Sequence, residues 1–128
     1  MSALEGFKAF NFNEGVPYVS VTNNGMTFNK SVIMKLDYPE YVLLLIDEDT
    51  KRIAVQACTA DAPNAAPFYN KEKKNNVLSV RWNGRDLLNT IQNLMDWNLQ
   101  ERGYRIDGVL LKEDHAMLFD LNNASELK

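Results

Sequence analysis

The spacing of hydrophobic residues in the first part of the chain predicts a strand, a tight turn and a short helix. Tyr18–Thr22 is aromatic and β-branched, which is typical of a strand. A turn follows at residues 23–25, since asparagine and glycine tolerate positive φ. Apolar residues then recur at helical spacing, at Phe28, Val32, Ile33 and Leu36. They predict a helix over residues 29–36, which Pro39 ends because the residue before a proline disfavours the α region.

A two-stranded hairpin and a long connector are predicted next. Residues 41–46 have no polar break, so we expect a strand that is covered on both faces. The polar stretch 47–51 favours a hairpin turn, and residues 53–57 alternate as the return strand. Residues 58–76 contain prolines, alanines, asparagines and a charged run, and therefore indicate a connector. Phe68 is expected to attach the middle of this connector to the core.

The same order of elements then returns in the second half of the chain. The elements are a strand over 77–82, a turn at 83–84, a helix with an apolar stripe over 87–99, and hairpin strands over 104–111 and 116–121. Gly103 is expected at the C-terminus of the helix, and Gly108 at a β-bulge. At the start of the chain, residues 3–10 predict a short helix that buries Phe7 and Phe10.

An internal repeat accounts for this recurrence. The matching pairs are Ser20 with Ser79, Val21 with Val80, Asn24-Gly25 with Asn83-Gly84, and Asp37-Tyr38 with Asp96-Trp97. We therefore expect one domain in which two repeats share a core, because each repeat is too small to bury its own apolar faces. The predicted parts are an N-terminal extension (1–17), repeat 1 (18–57), a connector (58–76), repeat 2 (77–121) and a polar tail (122–128).

The order strand, glycine turn, short helix and hairpin resembles the AbrB-like swapped-hairpin family, which includes AbrB regulators, MazE-type antitoxins and MraZ proteins. In repeat 1 the resemblance rests on residues 21–22, residues 25–28, the helix to Leu36, and residues 42–55. It implies an α+β, mainly β fold, in which two β-α-β-β repeats of a single chain form a pseudo-twofold barrel. It also implies a DNA-binding transcriptional regulator or an antitoxin-like module of bacterial type.

The chain departs from the family pattern where family members contact DNA. Those members usually carry a basic residue after the turn glycine and a proline before the helix. Met26 and Asn29 occupy that region of repeat 1, and repeat 2 has Arg85 followed by Asp86. The resemblance therefore leaves a second function open, that of a non-enzymatic protein-interaction or scaffold module which has lost the DNA-binding face.

Basic residues near the turns and in the connector are the candidate nucleic-acid contacts. They are Lys30, Lys35, Arg81, Arg85, Lys73 and Lys74. Arginine and lysine side chains bind phosphates, so duplex DNA is the first candidate partner. A partner protein or a second copy of the chain is the alternative partner. The net charge of −3, from 14 basic and 17 acidic residues, argues against a non-specific coat of nucleic acid and leaves room for a local basic patch.

Composition limits the other classes of function. The only cysteine, Cys58, excludes an intrachain disulfide, and residues 1–15 lack the pattern of a secretory signal. We expect a cytoplasmic protein with no membrane segment, since the longest apolar run is far shorter than the ~20 residues a membrane helix needs. A Cys–His catalytic pair would require Cys58 to meet His115, at the tip of the other hairpin. No catalytic, metal or cofactor motif is apparent, so we expect no enzyme.

Overall fold

A computed structural model describes residues 3–9, 15–70 and 79–127, which form a mainly β structure. The strands are β1 (Tyr18–Thr22), β2 (Gly25–Phe28), β3 (Tyr41–Asp47), β4 (Arg52–Cys58), β5 (Ala66–Pro67), β6 (Val80–Trp82), β7 (Tyr104–Leu111), β8 (Ala116–Asp120) and β9 (Ser125–Glu126). The helices are α1 (Lys30–Lys35) and α2 (Arg85–Met95). Short 3-10 turns follow β7 at Lys112–Asp114 and β8 at Leu121–Asn123.

All these strands belong to one antiparallel sheet that curls into a half-barrel. The strand order is β5-β3-β4-β8-β7-β1-β2-β6, and β9 adds to the start of β7. The curl brings the two end strands together. The indole Nε1 of Trp82 on β6 donates to Pro67 O on β5 at 3.1 Å. Phe68 packs edge-on against both Trp82 and Phe28 beneath this contact. Phe68 is thus buried, as the sequence predicted.

Alternation along the strands produces the core on the concave side of the sheet. Val19 and Val21 of β1 are fully buried, opposite Phe28 and Met26 of β2. Across the sheet, the buried side chains of Ile53, Val55, Ile106, Met117 and Phe119 join the same cluster. Helix α2 adds Leu88 and Ile91. Full burial of such an aliphatic or aromatic side chain stabilises the fold by about 1.5–3 kcal/mol.

Asn29 fixes the start of α1 as its N-cap. Its Oδ1 accepts from the amide of Val32 at 3.3 Å and from the amide of Tyr18 at 3.0 Å. Its Nδ2 donates to Val16 O at 2.8 Å. One side chain therefore caps the helix and ties it to the chain that enters β1.

The prediction that residues 41–46 are covered on both faces is wrong. Val42 is buried, but Leu45 is 43% exposed and Ile46 is 36% exposed. Leu45 points to the convex face of the sheet, opposite to the face on which Val42 is buried. An unbroken apolar run therefore does not indicate a strand that is buried on both sides.

Two glycine predictions are also corrected. Helix α2 ends at Met95, because Asp96 adopts a left-handed conformation with φ 56°, well before Gly103. Gly103 instead allows a close approach, since a Cβ there would lie 3.1 Å from Val21 O and 3.0 Å from Thr22 Cγ2. Gly108 forms no bulge: it continues a regular register opposite Phe119, and its amide donates to Pro17 O at 2.8 Å.

The predicted N-terminal helix is absent from residues 3–9, which form a turn followed by residues without regular secondary structure. Phe7 is 76% exposed and so does not form a buried side. Phe10, the second residue of that prediction, lies outside the described residues. Neither α1 nor α2 is long and apolar enough to cross a membrane, within the ranges that the structure describes.

Candidate nucleic-acid interface

A row of basic and hydroxyl side chains crosses the convex face of one half of the sheet. The cross-strand pairs are Arg81 with Thr27, Thr27 with Ser20, Ser20 with Arg105, and Arg105 with Ser125. We call these five residues the arginine row. Its two arginines are separated by three strand spacings, or about 14 Å at ~4.8 Å per spacing. Because residues that pair directly share a face, all five side chains point away from the core.

Arg81 is held at the edge of the sheet by its neighbour on β2. Its Nε donates to Thr27 Oγ1 at 3.1 Å, and the rest of the guanidinium is exposed. Gly25 makes room for this strand, because a Cβ there would lie 2.7 Å from Trp82 O and 3.1 Å from Arg81 Cγ. Gly25 also has φ +142°, a conformation that only glycine adopts readily.

Arg105 lies over the ring of Tyr18, with its guanidinium carbon 3.9 Å from the ring centroid. This cation–π contact orients the side chain along the convex face. The Nε of Arg105 also donates to Asp107 Oδ1 at 3.2 Å, in an ion pair whose side chains are 41% and 63% exposed. An exposed pair of this kind is worth about 1 kcal/mol or less, so an anion can compete for the guanidinium.

Arg85 lies beside the arginine row, on the first turn of α2. Its Nη1 donates to Asn23 Oδ1 at 3.1 Å and its Nη2 donates to Asn23 O at 3.3 Å. These bonds fasten the start of α2 to the turn between β1 and β2. A guanidinium has five N–H donors, so those that Arg85 does not use here remain available to a ligand.

The predicted contacts are only partly brought together. Arg81 and Arg85 share the β2–β6 side of the sheet. Lys30 is exposed at the start of α1, at the opposite end of β2 from the turn that Arg85 binds. Lys35 is half-buried in the last turn of α1. Lys73 and Lys74 lie outside the described residues.

Carboxylates near the arginine row moderate its positive charge. Glu126 of β9 pairs with Arg102 at 2.6 Å between its Oε1 and the arginine Nη1. The hydrogen bond that Arg102 donates to Glu126, then the negative charge of Glu126, raises the pKa of Arg102. In the described part of the chain, neither Arg81 nor Arg85 is ion-paired with a carboxylate. The net positive side of the face is therefore the β2–β6 side.

The other half of the convex face carries an apolar row. Its members are Leu45 of β3, Ala54 of β4, Leu118 of β8 and Val109 of β7, which pair in that order. Leu45 and Val109 are 43% and 59% exposed. The arginine row and this apolar row divide the convex face into two chemically different halves.

Cys58 and His115 lie closer than the sequence suggested. The amide of Ala57 donates to His115 O at 2.9 Å, so Cys58 is the next residue along β4 from this bond. No hydrogen bond joins the thiol to the imidazole within the described part of the chain. The described residues also contain no group of three or more His, Cys, Asp or Glu side chains arranged to hold a metal ion.

Arg105 is the basic member of the row that sequence reasoning missed. Its place depends on the pairing of β7 with β1, two segments from opposite ends of the chain. Alternation along residues 104–111 puts Arg105 on the same face as Val109, but it cannot tell which strand lies alongside. The pairing of Arg81 with Thr27 across β2 and β6 is unpredictable for the same reason.

Comparison with known proteins adds no relative to this description. The chain matches no family model, no curated protein and no solved structure.

Proposed function

We propose that the chain is a non-enzymatic DNA-binding module, similar to an AbrB-like transcriptional regulator or antitoxin, that contacts the phosphate backbone of duplex DNA through the arginine row. The observation that carries this proposal is the alignment of Arg81 and Arg105 across four strands, with Arg85 beside them. Arginine presents several N–H donors in a plane and binds phosphate oxygens strongly.

The hydroxyls between the arginines suit the same ligand. Ser20 and Thr27 lie between Arg105 and Arg81 on the exposed side of the strands. Serine and threonine hydroxyls are common donors to phosphate oxygens in protein–DNA complexes. The row therefore offers two neutral donors between two charged ones along one line.

Similarities between the two hairpins support the pseudo-twofold, AbrB-like element of the proposal. Each hairpin has a four-residue loop, between β3 and β4 and between β7 and β8. The last loop residue is left-handed in both: Lys51 has φ 56° and His115 has φ 49°. The helix exits also match, since Asp37 and Asp96 are left-handed with φ 60° and 56°. β4 and β8 pair antiparallel, which is how a local twofold relates two hairpins.

Contacts to the phosphate backbone of DNA give affinity and orientation, and they carry no direct information about the DNA sequence. Such binding weakens as salt rises, because each neutralised phosphate releases counterions; the logarithm of affinity falls by about 0.9 per contact for each unit of log salt. The acidic net charge of the chain should make affinity low outside the row and confine binding to this face.

Fluorescence anisotropy of a labelled duplex, repeated over a series of salt concentrations, tests the proposal. Arg81→Gln and Arg105→Gln should each weaken binding and reduce the salt slope by about one contact. Lys112→Gln is the matched control, because Lys112 is an exposed basic residue in the turn after β7, outside the arginine row. Absence of salt-dependent binding by the unmodified chain at low ionic strength would refute DNA binding, and equal losses for all three variants would refute the row as its site.

A protein-interaction or scaffold module is the second candidate, and the apolar row favours it. Exposed apolar side chains that adjoin across several strands are typical of a protein contact. This candidate predicts a complex that nuclease treatment does not disrupt, and no dependence of its formation on Arg81.

A further inference from the structure

The convex face of the β3-β4-β8-β7 half carries an arrangement that is complementary to itself. At its centre lies the apolar row, in which a small residue, Ala54, adjoins a large one, Leu118. Two pairs further along the same strands, and therefore on the same face, Arg52 of β4 lies opposite Asp120 of β8. Both features have one member on β4 and the other on β8.

We propose that two copies of the chain associate through this face, about a twofold axis that lies between β4 and β8 and runs parallel to them. Such an axis places β4 of one copy over β8 of the other and keeps each cross-strand pair at its own level. Ala54 then faces the Leu118 of the second copy, and Leu45 faces its Val109. Facing sheets pack about 10 Å apart with their strands roughly aligned, which lets the large side chains interdigitate with the small ones.

The charges select a second copy as the occupant. In the described part of the chain, the Arg52 side chain makes one long ion pair, 3.9 Å from Asp47 Oδ2, and its Nε donates to Thr50 Oγ1 at 2.9 Å. Asp120 accepts hydrogen bonds from the amide and side chain of Asn122, and it has no ion pair in the described part of the chain. In the twofold arrangement the Arg52 of each copy faces the Asp120 of the other, so two new ion pairs border the apolar centre.

The exposed apolar surface extends beyond these four strands. The bond from the Gly108 amide to Pro17 O continues the register of β1 and β7 by one pair. Val16, the residue before Pro17, is 54% exposed, and the same register places it opposite Val109. Burying Val16, Val109 and Leu45 together removes the most exposed apolar side chains of this half of the sheet from water, which is the driving force for association.

Light scattering coupled to size-exclusion chromatography tests the proposal over a concentration series. The unmodified chain should have the mass of a dimer at high concentration, and Val109→Asp should have the mass of a monomer. Phe7→Ser is the matched control, because Phe7 is an exposed apolar residue outside the row. It should leave the dimer unchanged, and circular dichroism should show that every variant stays folded.

A charge exchange between two variants distinguishes this face from any other. Arg52→Glu and Asp120→Arg should each dissociate alone, because like charges then face each other in both pairs. Mixed together they should associate, since both pairs become opposite in sign. A monomer at all concentrations would overturn the proposal. So would a dimer that survives Val109→Asp, or a mixture of charge variants that stays monomeric. These outcomes do not depend on DNA, so they leave the function of the arginine row untouched.

Discussion

Trp82 donates from its indole Nε1 to Pro67 O at 3.1 Å, and this bond joins the two end strands of the sheet. The ring of Trp82 also packs against Phe28, with centroids 5.0 Å apart, and against Phe68. One side chain thus combines a hydrogen bond at the seam, the place where β5 and β6 meet, with aromatic contacts to the core. We expect the curl of the sheet to depend on the hydrogen bond and on the aromatic contacts.

Trp82→Phe should keep most of the aromatic packing and lose the bond at the seam. We expect the free energy of unfolding in urea to fall by about 1 kcal/mol, the usual net worth of one hydrogen bond, with some further loss from the smaller ring. Trp97→Phe is a useful comparison, because Trp97 stacks on Tyr104 away from the seam. Amide exchange at Ala66 should accelerate in Trp82→Phe and not in Trp97→Phe; the reverse order would show that the indole does not secure the seam.

Gly25→Ala should be strongly destabilising. The new Cβ would meet Trp82 O at 2.7 Å, and the backbone would hold an alanine at φ +142°. Strain of this kind costs on the order of 1–3 kcal/mol. Gly84→Ala is the control, since nothing lies within 4 Å of a Cβ there and its φ is −59°. Thermal unfolding should show a large fall in Tm for the first variant and a small change for the second; similar values would contradict the close approach of β6.

Asn29→Ala removes three hydrogen bonds at the start of α1. The lost N-cap alone costs about 1 kcal/mol, and the amide of Tyr18 and the carbonyl of Val16 lose their partners as well. We expect a total of about 2–3 kcal/mol in chemical denaturation. Asn93→Ala, at an exposed position of α2, should change stability little. Equal effects of the two substitutions would mean that Asn29 acts only as a surface residue.

The pKa of Asp47 should respond to Thr50. Hydrogen bonding from the Thr50 side chain, then from the Thr50 amide, holds this pKa below its ordinary value of 3.8. Because the folded-state pKa is depressed, the carboxylate stabilises the hairpin above pH ~4, and the contribution is lost as the pH falls through the folded-state pKa. Thr50→Val should raise the pKa towards 3.8, as measured by carboxyl carbon shifts in NMR.

Asp61 provides an internal control in the same titration. Its pKa is lowered by a hydrogen bond from the Thr59 hydroxyl, in a different loop. Thr50→Val should leave it unchanged, and Thr59→Val should raise it alone. If the pKa values of both carboxyls changed together in either variant, the cause would be a change of the whole fold and not the loss of the local hydroxyl.

Local chemistry explains why several elements were predictable from the sequence. The apolar spacing of α1 and the polar turns of the two hairpins each depend on neighbours within a few residues. The left-handed residue that ends α2 escaped prediction, because aspartate adopts that conformation less often than glycine and Gly103 gave a competing signal. The apolar spacing therefore predicted α2 correctly, and the glycine signal placed its C-terminus too far along the chain.

Outside the two hairpins, the partners of each strand were not predictable, since side-chain alternation fixes which face a residue occupies and not which distant segment lies beside it. Arg105 became part of the candidate site only because β7 pairs with β1. Leu45 was expected to be buried because its neighbours are apolar, yet the sheet leaves that face bare in the described structure. The DNA contacts expected from Arg81 and Arg85 remain a prediction, and the geometry adds Arg105 to them.

The pairing of β1 with β7 and of β4 with β8 has a consequence for synthesis on the ribosome. The first hairpin, β3–β4, emerges early, but the strand that completes its far side belongs to the last part of the chain. Until residues 104–120 leave the exit tunnel, the inner side chains of Val42 and Val55 have no finished core to enter. Folding dominated by such distant pairings takes milliseconds to seconds. The nascent chain therefore passes through a stage in which chaperones can bind this hairpin and other chains can aggregate with it.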